Sequence, residues 1–177
     1  MRLIFSQIML LFASSTATAQ SITTLLNQGD FVVREHATSD QDAFDRGMCV
    51  AEVMNDRDQA LIIQGYQDDT FTITIRDDSW RLSDNFVSVV IEIDNSKWTV
   101  QGRTYPSDNM VYLWFDDQAF LPDVLINKVK VSGGSQMAIT AENGNSIANF
   151  SLSGSSAAMP QFAECWARRQ MTEQSAA

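Results

Sequence analysis

Apolar residues recur at every second position over much of the chain. Phe71, Ile73 and Ile75 alternate with Thr70, Thr72 and Thr74, and Val87, Val89, Ile91 and Ile93 alternate with outward positions that include Ser88 and Glu92. Successive side chains of an extended chain point to opposite faces, so a period of two predicts half-buried strands with one face on a core. The apolar positions are filled by β-branched and aromatic residues, which fit a pleated surface. Asp94-Asn95-Ser96 supplies a turn, and Trp98 and Val100 open the returning strand, so 86–101 reads as a hairpin.

The same pattern predicts strands at 31–33, 48–54, 59–65, 110–115, 128–132, 136–141 and 147–152. Turn signals separate them: Asn55-Asp56, Ser107-Asp108-Asn109, Gly133-Gly134 and Asn143-Gly144. Asn143-Gly144 suits a type I′ hairpin, because both residues tolerate positive φ. Segment 37–46 is polar and acidic and reads as a loop. Segment 21–26 reads as a short helical turn. In 117–127, Phe120, Leu121, Val124 and Leu125 have helical spacing, with Pro122 acceptable in a first turn, and a short helix is expected.

At the chain's end the period changes. Ala148, Phe150 and Leu152 alternate, Gly154-Ser155-Ser156 interrupts them, and Met159, Phe162, Ala163 and Trp166 fall on one helical face. A helix over about 157–170 follows, with Pro160 limiting its start and Arg168 and Arg169 near its negative end. Ser153-Gly154-Ser155-Ser156 reads as turn and N-cap chemistry. The fold class is therefore all-β, mainly an antiparallel sandwich or barrel, with a C-terminal α-helix.

The first nineteen residues stand apart. Arg2 precedes the apolar run from Leu3 to Phe12, and Ala17-Thr18-Ala19 offers small residues at positions −3 and −1 of a cut before Gln20. This is the layout of a secretory signal peptide, and the unbroken apolar part is shorter than the ~20 residues a bilayer core requires. Residues 20–177 then form one domain, periplasmic or secreted, with no stable membrane insertion. The formal net charge of −10 becomes one unit more negative when Arg2 is removed. Such a surface disfavours phosphate backbones and anionic headgroups, excluding nucleic acid as an expected partner.

Cys49 and Cys165 are the two cysteines. In an oxidising compartment such a pair forms a disulfide, which would clamp the last helix across the sheet. Two free thiols or a metal site are the alternatives, but no further thiol or nearby histidine completes a ligand set, so neither metal nor cofactor is expected.

Residues at both ends of the domain resemble those of the invasion-associated locus B family of small exported bacterial proteins. They are Gly29-Asp30-Phe31-Val32-Val33, Cys49-Val50-Ala51 and Phe150-Ser151-Leu152-Ser153-Gly154-Ser155, with Ala157 and Ala158 opening a last helix. The resemblance implies an all-β periplasmic or surface-associated protein without known catalytic residues, sometimes linked to host-cell entry.

Catalytic chemistry is poorly supplied. His36 is the sole histidine and precedes a polar loop, Gly-x-Ser-x-Gly is absent, and both thiols are expected to be oxidised. The carboxylate pairs Asp68-Asp69, Asp77-Asp78 and Asp116-Asp117 sit at strand ends, where Asp favours turns. Adjacent residues on a strand also point apart rather than across a cleft. A weak calcium site in such a loop stays open, without supporting EF-hand spacing. The expectation is not an enzyme but an envelope protein acting through contacts with a protein partner, in host interaction if the resemblance extends so far. Tyr112-Leu113-Trp114-Phe115 puts apolar groups on both strand faces, so the outer face there, either Tyr112 and Trp114 or their neighbours, is the candidate contact surface, with burial under the last helix the rival explanation. The alternative function is a small periplasmic inhibitor or ligand-binding module whose acidic loop, Asp116-Asp117, enters a basic cleft.

Overall fold

In a computed structural model, residues 20–38, 47–67, 70–106, 108–114, 121–132 and 135–174 are described; for Gln20, Thr38, Trp114, 121–125 and 172–174 the description covers the backbone alone. Among the described residues, ten strands run in chain order: β1 (Gln20–Gln28), β2 (Phe31–Thr38), β3 (Gly47–Met54), β4 (Gln59–Tyr66), β5 (Phe71–Asp77), β6 (Asn85–Ile93), β7 (Ser96–Thr104), β8 (Met110–Trp114), β9 (Gln136–Ala141) and β10 (Ser146–Ser151). Helix α1 (Leu121–Val131) separates β8 from β9, and α2 (Ser155–Gln174) ends the fold. The strands form one sheet in the order β1-β2-β3-β4-β5-β8-β7-β6-β9-β10, and every pairing is antiparallel. The expected all-β class with a terminal helix is what the chain adopts, built from one curled sheet rather than two stacked ones.

Alternation decides which face turns inward. Ala51, Ile63, Ile73 and Leu113 lie opposite one another in successive strands, as do Val53, Leu61, Ile75 and Val111, and all are buried. They join Val89, Ile91, Ile93, Met137, Ile139, Ala148 and Phe150 from the other half in one core, so the sheet wraps around its own apolar face. Where its ends approach, side chains bridge the seam. The Asn55 amide donates to the Asn149 carbonyl (3.0 Å), and the buried Gln59 amide donates to the Ile147 carbonyl (3.2 Å).

Helix α2 closes the inner face over β1–β4 and packs on α1. Ala158, Met159, Phe162 and Cys165 are fully buried, and Trp166 packs beside them. Ala163, expected on this stripe, is exposed. Gly65 in β4 makes room for Trp166, whose indole N–H donates to the Tyr66 carbonyl (2.9 Å). A Cβ at Gly65 would lie 2.7 Å from the indole. Cys165 is bonded to Cys49 in β3, 116 positions away in sequence. The clamp expected from the cysteine pair is thus in place.

Several local expectations are corrected. Segment 21–26 is strand, not helix: its register slips between Thr24 and Leu26, and the bulge lets Leu25 and Leu26 both pack on the core. Residues 128–131 belong to α1 rather than to a strand. Val129 is buried whereas Val131 is 75% exposed, which a helix allows and a strand with both on one face does not. Asn143-Gly144 is not a type I′ pair, since only Gly144 takes a positive φ (85°); the Gly144 N–H donates to the Ala141 carbonyl in a longer turn. Ser155 does not cap its own helix. Its buried hydroxyl donates to the Val129 carbonyl (2.6 Å) and ties α2 to α1. Helix α2 runs past Arg168 and Arg169 to Gln174, and both arginines pair with Glu35 of β2 (3.6 and 2.8 Å) instead of closing the helix end.

Asp94, at a positive φ of 53° in the β6–β7 turn, anchors that turn to the end of α1. Hydrogen bonds from Ser135, Lys128 and Ser132 hold its carboxyl down to about 2. A depressed folded-state value means the anchor contributes at pH above about 4, where the unfolded carboxyl is also ionised, and is lost as pH falls through about 2. Melting curves across this range should show the acid loss shrinking in Asp94→Asn, a side chain that tolerates the same backbone conformation. Equal acid sensitivity in both proteins would remove Asp94 from the account.

Candidate functional site

The register of the β6–β7 hairpin fixes Phe86 opposite Arg103, and the β7–β8 ladder fixes Arg103 opposite Tyr112. With Thr74 of β5, these positions form a row across four strands on the face turned away from the core. Their neighbours Val87, Gly102, Leu113 and Ile73 face the other way. Phe86 is 68% exposed and Tyr105, just beyond β7, is 38% exposed. Two large rings on the solvent face of a strand row stand out from the remaining outward positions of β6 and β7, which are Ser88, Val90, Glu92, Lys97, Thr99 and Gln101.

Arg103 organises this surface. Its guanidinium donates to both carboxylate oxygens of Asp84 (3.0 and 3.2 Å) and lies over the rings of Tyr105 (4.7 Å) and Phe86 (5.4 Å). A planar cation satisfies a carboxylate with one edge and covers an aromatic face with its plane, so a single side chain fixes both rings. The hydrogen bond with Asp84 holds that carboxyl below its ordinary range and raises Arg103. Tyr105 meets Tyr112 edge to face at 5.6 Å, and the Tyr112 hydroxyl donates to Asp108 (3.1 Å). Burial, reinforced by that carboxylate, pushes the phenol of Tyr112 up to about 12, so it is a fixed donor at neutral pH and not an acid–base group. The arrangement supplies apolar area, ring faces and a neutralised ion pair. These are the materials of a contact surface with anchors held in place before binding.

Tyr112 is therefore part of this cluster, partly buried beneath Tyr105. Helix α2 packs chiefly on β1–β4, so the rival explanation of cover by that helix does not apply to Tyr112. Trp114 lies opposite Gln101 at the end of β8, and its side chain is outside the description. Asp116 and Asp117 lie outside the described residues. Phe86, Arg103 and Tyr105 were not among the expected contact residues. The signal for Phe86 was present: an aromatic ring in the outward phase of β6, beside Ser88 and Glu92.

Of the other carboxylate pairs, Asp68-Asp69 lies outside the described residues, and Asp77-Asp78 has structural work. Asp77 accepts from the Ser79 hydroxyl (2.6 Å) and the Gln59 amide (3.0 Å), which together hold its carboxyl low. His36 lies in β2 opposite Met48 and Ile22. Among the described residues no group of three His, Cys, Asp or Glu side chains could hold a metal ion, and no helix is long and apolar enough to cross a membrane. A polar cleft of about 240 Å³ opens at the seam beside Asp30, Asn55, Arg57 and Asn149. Its Asn55 amide is already committed to Asn149 and Gln59, so part of the lining holds the fold together. Comparison with known proteins gave no matching family model, no matching curated protein and no matching solved structure.

Proposed function

We infer that this chain is a non-catalytic exported protein of the cell envelope that acts by binding a protein partner through the outer face of β6, β7 and β8. The observation that carries the reading is the exposed pair of rings, Phe86 and Tyr105, held on either side of the Arg103–Asp84 ion pair. Aromatic residues and arginine are the side chains most enriched where interfaces concentrate their binding energy. Export is supported by the amino-terminal pattern ending in Ala17-Thr18-Ala19 and by a disulfide that a reducing compartment would not sustain. The net charge of −10 favours a partner with a basic contact surface. A role in host contact belongs to the same reading, through the resemblance to the invasion-associated locus B family.

A photoreactive amino acid placed at position 86 tests the reading in intact cells of the native host. One discrete protein adduct is expected, lost when Arg103 is replaced by Glu and Tyr105 by Ala, and absent when the probe sits at the exposed Glu164 of α2. Adducts of the same kind from both positions, or none from position 86, would contradict the assignment. So would turnover of a glycan or peptide by the purified protein.

A further inference from the structure

The two edges of the sheet are treated differently. On β10, the carbonyls of Ile147 and Asn149 accept side-chain hydrogen bonds from Gln59 and Asn55, and just past the strand the Ser153 carbonyl accepts the Asp30 N–H (3.0 Å). Groups from the β1–β4 half of the sheet thus cover that edge. At the other end, among the described residues, β1 is paired with β2 alone. Residues 21–24 are exposed, with Ile22 at 58%. The nine residues of β1, QSITTLLNQ, contain no charged side chain and no proline, in a chain whose net charge is −10. Edge strands are ordinarily blunted by lysine, proline or inward charges. Here the visible device is the bulge between Thr24 and Leu26, which leaves 20–24 as regular strand.

We propose that 20–24 is a self-association edge, at which β1 pairs antiparallel with β1 of a second copy about a two-fold axis through Ile22. An unpaired strand edge presents a row of backbone donors and acceptors, and only another extended backbone satisfies that row. Charge selects the copy as occupant. Two chains of net −10 repel across most of their surfaces, and this strand is where they can approach without opposing like charges. The register follows from symmetry: Gln20 meets Thr24, Ser21 meets Thr23, and Ile22 meets Ile22 of the partner subunit, which removes two exposed apolar side chains from water. The pairing ends in both copies at the bulge, where Leu25 and Leu26 turn to their own core. This edge is separate from the surface around Arg103, and the inference does not depend on the function assigned there.

Sedimentation velocity over a concentration series, on protein recovered from cells that export it, should show monomer converting to dimer as concentration rises. Ile22→Lys opposes two like charges across the axis and should leave a monomer with an unchanged melting temperature. Ile22→Cys should give a covalent dimer on mild oxidation, whereas Gln28→Cys, beyond the bulge, should not. A single monomeric species throughout the series would overturn the proposal. So would a dimer that persists in Ile22→Lys, or β1 amides that gain exchange protection only when a different protein is added.

Discussion

Replacing Cys49 and Cys165 together with alanine is expected to reduce the unfolding free energy by about 3–5 kcal/mol, because the bond closes a loop of more than one hundred residues in the unfolded chain. Both cysteines are fully buried between β3 and α2, so the variant also leaves a small void where the sulfurs packed. The bond holds in place the one helix that covers β1–β4. Its loss should therefore appear in urea unfolding as a lower midpoint, with hydrogen exchange in α2 rising before exchange in β3–β5. A double variant within about 1 kcal/mol of the parent would mean that Met159, Phe162 and Trp166 hold α2 unaided, since removal of such a bond typically costs 2–5 kcal/mol.

Gly154→Ala should be comparably damaging, at about 3 kcal/mol or more, from a left-handed backbone combined with overpacking. Gly154 has a φ of 90°, and an added Cβ would lie 2.1 Å from the carbonyl oxygen of Gln28. Gly29 faces it with a φ of 61°, its Cβ position 2.6 Å from the Ser153 carbonyl oxygen. The obstacles are backbone atoms, which cannot swing aside as a side chain would. This is where the β1–β2 turn meets the entry to α2, so the clash would part the two segments that set the helix on the sheet. Gly144→Ala is the control. Its φ is 85° but nothing lies within 4 Å, so it should show the backbone cost alone, about 1 kcal/mol. Thermal or urea unfolding of the two variants separates the contact from the conformation, and equal losses would contradict the close approach.

The strands were legible wherever one face is buried, because burial imposes the alternation that the eye follows. Segment 136–141 is a strand over its whole expected length, β3 and β4 differ from expectation by a residue at one end, and β10 by a residue at each end. The failures share a cause. In β1 the bulge places Leu25 and Leu26 side by side on the core, which mimics helical spacing with Ile22. In α1, Lys128-Val129-Lys130-Val131 alternates as a strand would, but Lys128 is directed to Asp94 (2.9 Å) and Val131 to solvent. A tertiary contact set the structure there, not the local pattern. The disulfide was readable from compartment and cysteine count.

The candidate site was half readable. Tyr112 is a candidate from its strand alone, without the face it takes, and its neighbours come from register rather than from proximity in sequence. Once the hairpin turns at Asp94-Asn95, Phe86 is bound to fall opposite Arg103, and Arg103 then meets Tyr112 through a pairing between β7 and β8. The first step could be counted along the chain. The second required knowing that β8 adds beside β7 and not elsewhere. Ser155 shows the same limit: a serine at a helix start reads as a cap, but burial against α1 redirected its hydroxyl to Val129.

The most direct test is the intact mass of protein recovered from its native host, denatured and treated with a thiol-alkylating reagent before and after reduction. The account predicts a chain beginning at Gln20 that takes up no reagent until reduced and two equivalents afterwards. A chain retaining Met1, or one alkylated at Cys49 and Cys165 without reduction, would contradict it.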